Sequence, residues 1–172
     1  MSDVQCGLIG CGTVGGGVAQ RWGSEVTGAD LATVAVRDVR KHRDVDLSSL
    51  RLTTDAWEVV RDPRLQVVID ATADCESARE WALEAFAHGK SFITASKSLA
   101  ARHGAELEAR AAAQRVGFRY EAAVAGALPV VALLRLGLSP GRIRGFEGVR
   151  NGTCSFVLAR LGEGASLAAA LE

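Results

Sequence analysis

The chain has 172 residues, 48% of them hydrophobic and 23% charged, enough for one core that buries roughly 70% of the surface an unfolded chain of this size exposes. Its 20 basic residues balance its 20 acidic ones, so no net field draws it to nucleic acid or to an anionic membrane, and a small molecule is the expected partner. The longest apolar stretch, residues 122–134, contains Gly126 and Pro129 and stops at Arg135, short of the roughly 18 to 20 residues that span a bilayer.

The amino terminus, "MSDVQCGLIG", places no basic region ahead of its apolar residues, so it does not read as a secretory signal and the cytoplasm is the expected location. Valine- and isoleucine-rich runs then alternate with amphipathic stretches, the rhythm of a parallel sheet wrapped by crossover helices. The first strand covers residues 4–10 and a helix follows from Thr13 to Trp22. A second strand, residues 31–37, leads through a polar loop to a helix from Thr54 to Val60, with Thr54 as its cap. Next come a strand at 65–72, a helix from Cys75 to Ala87 closed by Gly89, a strand at 90–96, a helix from His103 to Val116 closed by Gly117, and a fifth strand at 118–125. Pro129 suits the first turn of another helix, "SPGR" stops it, and "IRGFEGVRNG" reads as a further strand. The expected fold class is α/β: a Rossmann-like, doubly wound parallel sheet over residues 1–128, with a different unit starting at 129. Cys6, Cys11, Cys75 and Cys154 show no metal-ligand spacing and are expected to be small buried thiols.

"GLIGCGTVGGG" sets Gly10, Gly12 and Gly15 in G-x-G-x-x-G spacing between the first strand and the first helix. Gly10 makes the tight turn, Gly12 leaves room for a pyrophosphate at the backbone, and Gly15 lets helix and strand pack closely. Gly10, Cys11, Gly12, Thr13, Val14 and Gly15 are therefore the expected phosphate-holding loop of a dinucleotide site. About 20 residues on, the chain reads "VRDVRKHR". Arg37 suits the 2′-phosphate of NADP, with Arg40, Lys41 and Arg43 adding positive charge, while Asp38 suits the ribose hydroxyl of NAD. NADP is favoured over NAD.

Ligands of open sheets sit at the carboxyl ends of the strands, which singles out Thr72, Lys97 and the segment from Glu121 to Leu128. A lysine at a strand exit beside the nicotinamide could polarise a carbonyl or pass a proton if partial burial lowered its pKa; a solvent-facing surface lysine is the competing reading.

"GLIGCGTVGGGVA", "VAVRDVRK", "GKSFITASKSLAA", "YEAAVAGALPVV" and "GVRNGTCSFVLARLGEG" together resemble, in order and spacing, the amino-terminal half of homoserine dehydrogenases. The resemblance implies NAD(P)-dependent interconversion of L-homoserine and L-aspartate 4-semialdehyde, on the route to threonine, methionine and isoleucine. It implies that Thr72 and Ser96 approach the nicotinamide, and that Lys97 is one of two lysines moving the proton. It further implies that Glu121, Val124, Gly126 and Leu128 lend backbone carbonyls to a sodium ion, and that Gly152 and Thr153 border the homoserine pocket. This chain has "ASK" where the family often has "ANK", and "ATAD" where an acidic or glycine-rich turn is usual. Family members continue into a catalytic aspartate, the second lysine and further strands of a dimerising domain, so residues 129–172 resemble the incomplete start of an α+β substrate and dimerisation domain. The expectation is a chain that binds NADP or NAD but turns homoserine over slowly, with apolar faces of "IRGFEGV" and "SFVLARL" uncovered and a homodimer as the complete form. A reductase of the aspartate dehydrogenase or dihydrodipicolinate reductase type, or a nucleotide-binding module without chemistry, are the alternatives.

Overall fold

The computed structural model describes residues 4–126, 128–136, 145 and 152–171. Six parallel strands form one sheet: β1 (Val4–Ile9), β2 (Ala29–Ala35), β3 (Arg51–Thr53), β4 (Val67–Asp70), β5 (Ser91–Thr94) and β6 (Phe118–Arg119). Their spatial order is β3-β2-β1-β4-β5-β6, reversing direction between β1 and β4. Such a reversal leaves a crevice at the carboxyl ends of those two strands. The connecting helices are α1 (Thr13–Glu25), α2 (Ala56–Arg61), α3 (Cys75–Ala87) and α4 (Lys97–Ala113). Beyond β6 come a 3-10 turn at Glu121–Ala123 and then α5 (Val130–Leu136), α6 (Gly152–Gly162) and α7 (Leu167–Leu171).

Alternation along the strands divides the core between the two faces. Cys6, Leu8, Leu31, Val34 and Ile69 pack on the side of Ala19 and Trp22 of α1. Ile9, Ala35, Val68, Phe92 and Phe118 pack on the other, beneath Val59, Val60, Ala78, Ala82, Phe86, Leu99 and Leu107 of α2, α3 and α4. Helices on both faces make the sheet doubly wound, as the sequence predicts.

Several boundaries differ from the sequence reading. β3 was not foreseen, because three residues after a long polar loop give no measurable alternation; it is held by parallel pairing of Val34 with Leu52. The fifth predicted strand shrinks to Phe118–Arg119, since the chain curls at once into the 3-10 turn and then through left-handed Ala125 and Gly126. α4 starts at Lys97 rather than His103, because Ser96 caps it, its Oγ accepting from Leu99 N at 3.3 Å. Asp55, not Thr54, caps α2 by accepting from Trp57 N at 2.8 Å. Gly89 is left-handed at φ +70°, as expected, but the turn after α4 uses Arg115 at φ +57° and Gly117 is not left-handed. Among the cysteines, Cys6 and Cys75 are buried and Cys154 is exposed. The predicted strand at 143–152 falls almost wholly outside the described residues. No helix among the described residues is long and apolar enough to cross a membrane.

Candidate functional site

Residues 10–15 carry the chain from β1 into α1. Gly10 has φ +90°, a region L side chains avoid, and its N–H donates to Ala35 O at 2.9 Å. A Cβ on Gly10 would lie 2.9 Å from Thr72 Cγ2 and 3.0 Å from Ala71 O, so the turn presses on the exit of β4. At Gly15 a Cβ would lie 1.9 Å from Gly10 O; α1 crosses the strand exit only because that position has no side chain.

Gly12 behaves differently. A Cβ there would meet nothing within 4 Å. Gly12 is the N-cap of α1 with no side-chain cap bond, and the first turn carries no acidic residue. The first-turn amides thus have no capping side chain and sit at the positive end of the helix dipole, next to the open space at Gly12, an arrangement that accepts a diphosphate. Open volume at Gly12 and forced closeness at Gly10 and Gly15 are what a dinucleotide pyrophosphate requires of this loop, so the residues present fit the group. Cys11 is half-buried, with Thr13 and Val14 exposed beside it.

The basic segment after β2 folds on itself. Asp38 Oδ1 accepts from Arg40 N at 2.8 Å, and the Arg43 guanidinium donates to Asp38 O and Lys41 O at 2.8 and 2.7 Å. Burial raises the Cys11 thiol pKa while the charge of Arg43 pulls it down. Arg43 thus lies within electrostatic reach of Cys11 in the glycine loop. Arg37, Arg40 and Lys41 are exposed.

At the exits of β4 and β5 sits a group that sequence reasoning missed, Asp70. It is 0% exposed. Its Oδ1 accepts from Thr72 N and Thr72 Oγ1 at 2.9 and 2.7 Å, and its Oδ2 accepts from Thr94 Oγ1 at 2.7 Å. Burial raises its pKa, and the Thr72 and Thr94 hydroxyls pull the other way. Thr94 Oγ1 in turn accepts from Ser96 N at 3.0 Å, and Ser96 caps the helix that opens with Lys97. One buried carboxyl thereby fixes Thr72, Ser96 and the start of α4 in a single network. "IDAT" and "ITAS" carry a readable signal, a polar residue ending each strand and a hydroxyl two positions later.

Lys97 is exposed rather than partly buried, at the first position of α4. Glu121 O and Leu128 O already accept from Val124 N at 3.0 Å and Val130 N at 2.8 Å, and left-handed Gly126 turns the chain between them. Glu121 Oε2 is buried without a hydrogen-bond partner among the described residues, the kind of orphaned oxygen a cation meets. Gly152 and Thr153 begin α6, directly after residues that lie outside the described ones. Two surface hollows, one lined by Leu83, Phe86 and Gln114 and another by Pro63, Gln66 and Lys90, open at the other end of the sheet from the glycine loop.

A family model described as "Homoserine dehydrogenase, NAD binding domain" matches residues 10–121, and one described as "Homoserine dehydrogenase" matches residues 129–172. Homoserine dehydrogenase from Bacillus subtilis is 36% identical over 94% of this chain and 39% of its own length. Its counterpart from Pseudomonas aeruginosa is 37% identical over 95% of this chain and 39% of its own length. The crystal structure of a homoserine dehydrogenase from Thiobacillus denitrificans superposes with a TM-score of 0.87 at 38% identity, covering 98% of this chain and 41% of that one. The chain thus spans about two fifths of the length of these relatives.

Proposed function

This chain belongs to the homoserine dehydrogenase family, and we propose that it forms the coenzyme-binding part of an enzyme interconverting L-homoserine and L-aspartate 4-semialdehyde with NADP or NAD. The observation that carries the reading is the opening at Gly12, where a Cβ would meet no neighbouring atom and no side chain caps the start of α1. The nicotinamide, when bound, supplies the hydride acceptor or donor. The chain's own residues do the rest: the first-turn amides of α1 hold the phosphates, Thr72 and Ser96 border the ring, and Lys97 moves the proton on the substrate oxygen. An exposed ammonium suits that task because the substrate and the remaining pocket supply its surroundings. Arg37 and Arg43 favour NADP through charge at the β2 exit.

Residues 1–128 are the coenzyme domain and residues 129–172 begin the substrate and dimerisation domain, a division supported by the gap between the two matched regions. Exposed Leu133, Leu136, Phe156, Leu158, Leu167 and Leu171 support a protein interface there, consistent with a homodimer. The orphaned Glu121 oxygen supports a sodium ion held by the carbonyls of Glu121, Val124, Gly126 and Leu128. Gly152 and Thr153 border the homoserine pocket. Thiols at Cys6, Cys11 and Cys75 and a nicotinamide coenzyme fit the cytoplasm. The 172 residues alone are expected to bind coenzyme while turning homoserine over slowly.

The test is twofold. Titration with NADPH should give saturable binding to the chain, and its absence would refute the coenzyme reading. Homoserine-dependent NADP reduction by the protein at the full length of its relatives should fall at least about 100-fold in kcat for Lys97→Met with NADPH affinity kept. Unchanged kcat would remove Lys97 from the chemistry.

A further inference from the structure

Three side chains that the proposed reaction does not use bring ligand atoms of three kinds together between α3 and α4. Cys75 and Glu76 are the first two residues of α3, and His103 lies on α4; the Cys75 Sγ, a Glu76 carboxylate oxygen and a His103 ring nitrogen all lie within 4.8 Å of one another. His103 Nε2 is buried and makes no hydrogen bond among the described residues. Glu76 Oε1 stands 3.5 Å from it. That is beyond the ordinary N–H···O range of about 2.7 to 3.2 Å. It is close to the roughly 3.4 Å that separates two ligands each about 2.1 Å from one tetrahedral ion.

The other side of the ring is arranged to match. His103 Nδ1 faces Glu106 Oε2 at 3.7 Å, and Glu106 is itself held by Arg79, whose Nε donates to Oε2 at 2.8 Å. At that spacing no hydrogen bond to Nδ1 is formed, but the carboxylate stands on the Nδ1 side of the ring, where it favours the Nδ1–H tautomer that leaves the Nε2 lone pair to a metal. Cys75, only 9% exposed, supplies sulfur from the core side.

We propose that Cys75, Glu76 and His103 form a site for a divalent ion of the zinc type, with the fourth position left to water. Sulfur and imidazole in one donor set favour zinc or cobalt over magnesium or calcium. Cys75 binds as the thiolate, its proton passing to solvent. Arg102 Nη1 lies 4.0 Å from the same Glu76 oxygen, but its side chain is 67% exposed and swings into water when the ion takes the carboxylate. Three negative groups, the thiolate, Glu76 and Glu106, outweigh the two guanidinium groups of Arg102 and Arg79. The ion would tie the first turn of α3 to α4 about 9 Å along the helix from Lys97, stiffening the element that presents that lysine. None of the three ligand residues is among those placed in the coenzyme site, so the proposal does not depend on the coenzyme reading.

Cobalt(II) is the probe. Added to the chelator-treated protein, it should bind at one equivalent with a thiolate-to-cobalt charge-transfer band in the near ultraviolet and the strong visible bands of a four-coordinate ion, and zinc should bleach both. Cys75→Ser should abolish the charge-transfer band, His103→Gln should weaken binding at least about 100-fold, and Glu106→Gln about tenfold. Glu76→Gln, at a side chain 71% exposed, leaves the fold intact and should still weaken cobalt binding about tenfold or more. Cys154→Ser, at an exposed thiol far along the chain, should change nothing. No charge-transfer band in the parent protein, a band that survives Cys75→Ser, or unchanged affinity in Glu76→Gln would each overturn the site.

Discussion

Asp70→Ala removes the acceptor on which the exits of β4 and β5 converge. Three donors lose their partner: Thr72 N, Thr72 Oγ1 and Thr94 Oγ1. At about 1 kcal/mol for each bond the loss is about 3 kcal/mol, rising toward 5 if the two hydroxyls stay dry. Asp70→Asn is the sharper variant. Its carbonyl oxygen keeps both Thr72 donors, and its amide can donate to Thr94 Oγ1, which leaves only the Thr94 hydroxyl proton without an acceptor and costs about 1 kcal/mol. The two variants should also differ from the parent in pH dependence. Burial raises the folded-state pKa of Asp70 above the unfolded value near 3.9, so the folded chain holds the extra proton between those two values. The stability that Asp70 contributes is therefore full below the unfolded pKa and declines as pH rises through the folded one. Asp70→Asn lacks this decline, so its deficit against the parent should shrink between pH 4 and pH 7. Urea denaturation at several pH values measures all of this, with a coenzyme titration reporting whether Thr72 and α4 have moved. An Asp70→Ala chain within 0.5 kcal/mol of the parent, or an Asp70→Asn chain as unstable as Asp70→Ala, would refute the network's importance.

The loop glycines should separate binding from folding. Gly12→Ala, whose new methyl meets open space, should leave the denaturation midpoint within about 1 kcal/mol of the parent yet weaken NADPH binding at least about tenfold; Gly15→Ala, with its Cβ 1.9 Å from Gly10 O, should lower both stability and affinity. Arg37→Ala should weaken NADPH binding about tenfold more than NADH binding, read from parallel fluorescence titrations. At the opposite end of the strands, before β4, the Arg64 guanidinium bonds Asp62 at 2.6 Å and holds its carboxyl at a pKa of about 2. That pair contributes up to about 2 kcal/mol, less what solvent around the exposed Arg64 screens; it is fully present above about pH 4 and lost as pH falls toward 2, so Arg64→Ala should flatten the acid limb of the stability curve.

What the sequence disclosed and what it hid divide along the range of the interactions involved. Gly15 answers a conflict with Gly10 O five residues away, so the glycine spacing alone places the turn even though Gly10 itself presses on Ala71 and Thr72 at the exit of β4, and strands buried on both faces leave apolar runs that need no partner to be recognised. Asp70 depends on Thr94, its register partner across β4 and β5 and 24 residues away, and an aspartate at the end of "VVID" looks like any strand-ending acid until that pairing is known. What the sequence could not show of Arg43 is its bonding to the carbonyls of Asp38 and Lys41, which exists only once the segment after β2 folds back on itself. Lys97 shows the intermediate case. Its position after a strand was legible, but Ser96, read as the last residue of that strand, is a helix cap, and the difference turns Lys97 from a side chain at the end of an extended segment into the first residue of α4. Because Ser96 N is in turn held by Thr94, and Thr94 by Asp70, the orientation of the lysine is set by a carboxyl on the neighbouring strand. If Lys97 moves the proton as proposed, its placement is a property of the sheet's register, and Asp70→Asn in the full-length protein should lower kcat while Lys97 itself is untouched.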